Sequence, residues 1–208
     1  MNKVLLIENY LDELYSSPRC ELKYNKDYEL LISIMLSART TDKKVNDVTS
    51  VLYKKYNTLE KLKNASLEDI KSIIKPLGNY NKKSIYIKEI ARILVDNYNS
   101  SIPLNRKELE SLNGIGRKTV NVFYAELNIE PSMAVDTHVF RVSNRLGLSN
   151  KEDSVLKVEE KLKKVFKKKD WSKRHLQLVL FGRYNCKSLT PNCNDCKLKE
   201  VCNYYKSR

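Results

Sequence analysis

Lys118 and Asp136, eighteen residues apart, are the two side chains whose setting points to reaction chemistry. Lys118 lies in Leu112-Asn-Gly-Ile-Gly-Arg-Lys-Thr119. There a helical stretch from Arg106 to Leu112 meets Gly114-Ile115-Gly116, and a second helical stretch starts near Lys118. Two glycines one residue apart let the backbone turn tightly and expose its N–H groups, and the helix behind them adds the positive end of its dipole. Such a turn cradles a phosphate without reading base sequence. No strand precedes it and no third spaced glycine follows, so it is not a dinucleotide motif. Arg117, between Gly116 and Lys118, breaks the Walker pattern. An ammonium at a helix start is disfavoured by the dipole, and partial burial acts the same way; a lysine made neutral by both is a nucleophile suited to Schiff-base chemistry. A surface lysine touching phosphate is the plainer role for the same residue.

Asp136 lies in Ala134-Val-Asp136-Thr-His138-Val-Phe-Arg141-Val-Ser-Asn-Arg145, between an apolar run and an amphipathic helix. Asp136 or Thr137 can cap that helix. A carboxylate held at a cleft can also stabilise positive charge developing on a sugar ring. His138, one of two histidines, is a candidate general base, with a packing or hydrogen-bonding role beside the site the plainer reading.

The third chemical feature is Cys186-x6-Cys193-x2-Cys196-x5-Cys202, four of the five cysteines. An odd thiol total, an N-terminus too acidic for a secretory signal, and a chain long enough to build a core all argue against disulfides. A metal is the leading reading. Zinc is usually gripped by two close pairs of ligands. Here a single Cys-x2-Cys has an outlier on each side, which suits a cubane iron–sulfur cluster better while leaving zinc open. Cys20 stands alone and reads as a small buried thiol.

These groups need a helical frame. Val4, Leu5, Ile7, Leu11 and Leu14 share one helical face. Leu30, Leu31, Ile34, Met35 and Ala38 share a second, and Val45, Val48, Val51, Leu52 and Tyr56 a third. Ile85, Ile87, Ile90, Ala91, Leu94 and Val95 share a fourth. Ser66-Leu-Glu-Asp69 reads as a capping box opening a short helix through Ile74, stopped by Pro76 and Gly78. Lys157 to Arg174 reads as a solvated basic helix with Val158, Leu162, Val165 and Phe166 on its apolar stripe. No segment alternates with period two. The fold class expected is all-α, with about ten helices.

Lys and Arg total 39 against 25 Asp and Glu, a formal net charge of +14. That favours an anionic partner, nucleic acid before an acidic membrane surface. No apolar run reaches membrane-spanning length, so no membrane is expected.

The hairpin with Lys118, the VDTHVFRVSNR segment with Asp136 and the four-cysteine loop occur here in the order found in the endonuclease III family, bifunctional DNA glycosylases of the helix–hairpin–helix superfamily. The resemblance runs from LLISIMLSARTTDKKVN to Cys202. It implies two helical lobes: residues 22–130, a six-helix lobe ending in a hairpin at about 112–118, and residues 1–21 with 131–208, carrying a cluster loop at 186–202. Double-stranded DNA with damaged bases or abasic sites is expected in the groove between them. Lys118 matches the family's nucleophile, Asp136 its catalytic aspartate, and Cys186, Cys193, Cys196 and Cys202 its [4Fe–4S] ligands. Gly114, Ile115, Gly116, Arg117, Thr119, His138 and Lys187 are expected at the DNA. A cytoplasmic, nucleoid-associated monomer acting on oxidised or ring-saturated pyrimidines is the expectation.

The chain departs from the family at both positions that fill the gap left by a flipped base. Arg39 stands for the usual Gln, and Asn79 for an intercalating Leu. Asn113 replaces the usual hairpin Pro, and the loop after Cys186 holds only Lys187 as a basic residue. A monofunctional adenine glycosylase of the same superfamily normally lacks a lysine at the position of Lys118. A non-catalytic iron–sulfur DNA-binding module gives Lys118 and Asp136 no reason to occur together.

Overall fold

In the computed structural model, which describes residues 2–207, every regular element is a helix. The α-helices are α1 (Lys3–Leu14), α2 (Asp27–Leu36), α3 (Asp42–Lys55), α4 (Leu59–Asn64), α5 (Leu67–Ile74) and α6 (Tyr80–Tyr98). They continue with α7 (Arg106–Glu110), α8 (Arg117–Leu127), α9 (Thr137–Leu146), α10 (Val155–Val165), α11 (Trp171–Tyr184) and α12 (Asn203–Lys206). Among the described residues the twelve exceed the expected ten, α4 and α12 being too short to show a hydrophobic period; α7 is the helical stretch expected from Arg106, ending at Glu110 rather than Leu112. Two compact units result, Glu21–Phe123 and a second built from the chain up to Cys20 together with Tyr124 onward; the division falls inside α8.

Helix starts follow local side-chain chemistry. Asn2, Thr41, Thr58, Ser66, Asn105, Asp136 and Ser154 each accept a backbone N–H of the first turn they cap. The capping box at Ser66 opens α5 as expected, with Ser66 Oγ accepting the Asp69 N–H. α2 has no such cap; instead the buried Glu29 carboxylate accepts the Asn25 N–H at 2.7 Å.

In the Glu21–Phe123 unit, α2 is buried along nearly its whole length, from Tyr28 to Leu36. Val45, Leu52, Leu62, Ile70, Ile74, Ile87, Ile90, Leu94 and Leu109 are also fully buried in this unit. Burying one such side chain stabilises the fold by roughly 1.5–3 kcal/mol. In the second unit Ile7 and Leu11 of α1 join Val139, Val142, Val158, Leu162, Leu178 and Phe181 in one core.

Four residues assigned to apolar faces from spacing alone are exposed: Leu5, Ala38, Val51 and Ile85. Leu5 and Ile85 lie off the i, i+3/i+4 stripe that their neighbours define, and Ala38 lies past the end of α2. The Lys157–Arg174 stretch is not one helix. α10 ends at Val165, a 3₁₀ turn covers Lys168–Asp170, and α11 starts at Trp171. Its last residue, Arg174, is buried. The guanidinium donates to both Asp12 carboxylate oxygens, at 2.8 and 3.2 Å, and to Gln177 Oε1 at 2.8 Å. Burial pushes the Asp12 carboxyl up, but hydrogen bonds from Arg174, Lys173 and Gln177 outweigh it and hold the group far below the usual carboxylate range.

Candidate active site and metal centre

The hairpin is built from the inside out. Leu112 and Ile115 are buried anchors, and the Ile115 N–H donates to Leu112 O at 3.0 Å to close the turn. Gly114 has φ +82°, and a Cβ there meets Tyr86 Cδ2 at 2.6 Å and Met35 Cγ at 3.2 Å, so both conformation and space demand glycine. Gly116 differs: nothing stands within 4 Å of a Cβ at that position, which leaves an open approach to the start of α8. The first bond of α8 runs from the Val120 N–H to Gly116 O, so Lys118 and Thr119 lie in the first turn, where amides point away from the helix body. Lys118 is exposed, on the first turn of α8 where a helix start is expected. Arg117 and Gly114 are exposed too, and Thr119 is half-buried. Asn113, where proline is usual, donates Nδ2 to Glu89 Oε2 at 2.8 Å and ties the turn to α6.

Two further positions of this unit share an unusual backbone. Arg39, after the C-terminus of α2, has φ +60°, and Asn79, the N-cap of α6, has φ +58°. Both are exposed. Asparagine tolerates this region; arginine adopts it at a cost.

In the other unit, Asp136 is the N-cap of α9. Its Oδ1 accepts the Val139 N–H at 2.8 Å, so the carboxylate is held by its own helix and remains half-buried. His138 lies beside Arg141, whose Nη2 stands 3.3 Å from Nδ1. Burial pushes the imidazole pKa below its usual value, Asp136 opposes this, and Arg141 and Arg183 add to it. Its Cβ lies 2.8 Å from where a side chain on Gly182 would start, so α9 and α11 meet backbone to backbone here.

Cys186, Cys193, Cys196 and Cys202 are free thiols lining one largely apolar cavity with Leu146, Phe181, Pro191, Tyr204 and Tyr205. Burial raises the thiol pKa of Cys186 and of Cys196; Arg145 opposes the rise at Cys186, and the other three cysteines add to it at Cys196. Such a set is relieved when a cation binds thiolates. Among the described residues no group of three His, Cys, Asp or Glu is arranged to hold a metal ion. Cys20 is a separate, half-buried thiol.

Two arginines of α9 hold this loop, a role that no motif announces because carbonyl partners have no residue signature. Arg141 Nη2 donates to Gly182 O at 2.7 Å and Cys186 O at 3.2 Å. Arg145 donates to Lys187 O at 2.6 Å, Ser188 O at 2.8 Å and Cys186 Sγ at 3.3 Å, with its guanidinium 4.2 Å from the Tyr204 ring centroid. The helix that presents Asp136 therefore also fixes the cysteine loop. Lys187 is exposed on that loop.

Residues 32–168 match the HhH-GPD superfamily of base excision DNA repair proteins. The chain is 45% identical over 203 residues to endonuclease III of Rickettsia prowazekii (strain Madrid E), covering 96% of this chain and 95% of that one. It is 40% identical over 192 residues to endonuclease III of Bacillus subtilis (strain 168), covering 92% and 88%. A solved structure of a trapped endonuclease III–DNA covalent intermediate, an estranged-adenine complex, is 39% identical and superposes with a TM-score of 0.93 over 100% of this chain and 99% of that one.

Proposed function

Because the chain belongs to the endonuclease III family of HhH-GPD base excision DNA repair proteins, we propose that it excises oxidised or ring-saturated pyrimidines through a Schiff base on Lys118 and then cleaves the strand. It is a base-excision DNA glycosylase and lyase, and its partner is DNA. The observation that carries the role of Lys118 is its place, an exposed amine on the first turn of α8 directly behind the Gly114–Gly116 turn.

The steps follow from what these residues can do. A stacked base is out of reach, so the damaged nucleotide is turned out of the duplex. Hairpin amides from Gly114 to Thr119, with Arg117, hold a backbone phosphate. The free amine of Lys118 attacks the anomeric carbon; the N–C bond forms as the glycosidic bond breaks, and the base leaves with that electron pair and takes up a proton. Asp136 stabilises the positive charge on the sugar and relays protons. The sugar opens to an iminium on Lys118. Loss of a C2′ proton then expels the 3′ phosphate oxygen with the C3′–O bonding pair. Arg39 and Asn79 stand where the duplex is opened, and His138 and Lys187 line its path.

Cys186, Cys193, Cys196 and Cys202 would hold a [4Fe–4S] cluster, four thiols lining one largely apolar cavity being the donor set such a cluster takes. Bound there it would cross-link the 186–202 loop, while neither step above consumes an electron.

Borohydride trapping on a duplex with an oxidised pyrimidine tests the reading. A covalent adduct formed by the native protein and lost in Lys118→Gln is expected. Base release without any adduct in the native protein identifies a monofunctional glycosylase instead.

A further inference from the structure

Lys83 is a buried cation held only by main-chain oxygen. Its side chain is 5% exposed, and Nζ donates to Leu36 O at 2.8 Å and Ala38 O at 3.0 Å. Among the described residues no carboxylate acts on it; burial pushes its ammonium below the usual lysine range. A buried charge without a counter-ion is a costly way to finish a helix, and glycine in the following turn is the cheap one. Here the turn after α2 carries no glycine. It carries Arg39 at φ +60°, with Lys83 beneath it.

The same residue reaches the second unusual position. The Lys83 N–H donates to Asn79 O at 3.0 Å, the first turn of α6 behind its left-handed cap. One residue therefore touches both turns, Arg39's through its side chain and Asn79's through its backbone. The other bonds of the Arg39 turn are local: Ser37 Oγ to Ile34 O at 2.8 Å, Ala38 N–H to Met35 O at 3.5 Å and Thr40 N–H to Ser37 O at 3.1 Å.

We propose that Lys83 is a positioning residue for recognition of the base opposite the lesion: it locks the left-handed turn that presents Arg39 and ties that turn to the start of α6, so that Arg39 and Asn79 enter the duplex as one rigid pair. The inference rests on the reading above that these two residues fill the gap. A guanidinium offers only donors, so its contribution is to rank the opposite bases by the acceptors they present. A donor fan of this kind discriminates only if its base is fixed.

The test uses the cluster-loaded full chain and binding rather than turnover. Dissociation constants are measured for duplexes carrying a tetrahydrofuran abasic analogue opposite A, G, C and T, and the spread between tightest and weakest is compared across variants. Lys83→Met is expected to shrink the spread several-fold. Arg39→Ala should shrink it as far, and the double variant no further than Arg39→Ala alone. Lys83→Arg, which keeps donors for the carbonyls, should recover part of the spread; it and Lys83→Gln carry the comparison where the Met variant fails to fold by circular dichroism. A Lys83 variant that binds all four duplexes equally more weakly with the spread intact overturns the inference and makes Lys83 a core residue. An Arg39→Ala protein with an unchanged spread overturns the gap-filling reading first, and the inference with it.

Discussion

Asp136 does two jobs with one carboxylate, and substitution can separate them. Asp136→Asn keeps a side-chain oxygen to accept the Val139 N–H, so the melting temperature should hold within about 2 °C while base excision falls by about 10²-fold or more. Asp136→Ala should lose the cap as well, costing about 1 kcal/mol in denaturant unfolding. His138 adds a pH dependence. Burial first, then Arg141 and Arg183, depress its folded pKa below the unfolded value near 6.5, so the folded state favours the neutral ring. Its contribution is complete above that unfolded value and is lost as pH falls toward the folded one. Stability of the native protein should therefore decline from pH 7.5 to pH 5.5 more steeply than that of His138→Gln, as read by urea midpoints. At this scale the cap at Asp136 and the anchored hairpin were legible in the sequence, because short-range side-chain-to-backbone bonds have fixed offsets. Lys83, Arg141 and Arg145 were not, because their partners are carbonyls 40 or more residues away.

Among the elements, two glycines invite opposite outcomes. Gly182 lies inside α11, where alanine is worth up to about 1 kcal/mol more in helix propensity. Yet a Cβ there meets His138 Cβ at 2.8 Å, Val142 Cγ2 at 3.2 Å and His138 Cα at 3.3 Å, and helix backbone cannot yield as a side-chain tip can. Gly182→Ala should destabilise by about 1–3 kcal/mol, measured by thermal melting. Gly116→Ala meets nothing and should melt like the native protein, while the added methyl obstructs backbone approach and weakens binding to abasic duplex several-fold. Helical periodicity revealed the long elements because α3, α6 and α9 each repeat an apolar stripe for at least ten residues. It could not reveal α4 or α12, where six and four residues give no period to count.

For the whole molecule, a net charge of +14 and an endonuclease III fold together set how DNA binding responds to salt. Affinity for abasic duplex should fall steeply and log-linearly between 50 and 200 mM salt, with Lys187→Ala reducing the slope by about 1 if Lys187 reaches a phosphate. The position of the cysteine loop has a further consequence during synthesis. The unit that holds it takes α1 from the start of the chain and everything from Tyr124 onward, and Tyr10 and Lys197 already link the two stretches through Asp195 O and Glu13. A nascent chain on the ribosome carries α1, with Ile7 and Leu11 uncovered, until the α9–α11 residues that share their core have emerged. The intervening Glu21–Phe123 unit has all its residues far earlier. Chains in which the later stretch fails to assemble leave Ile7 and Leu11 of α1 uncovered, an apolar face that chaperones and proteases recognise.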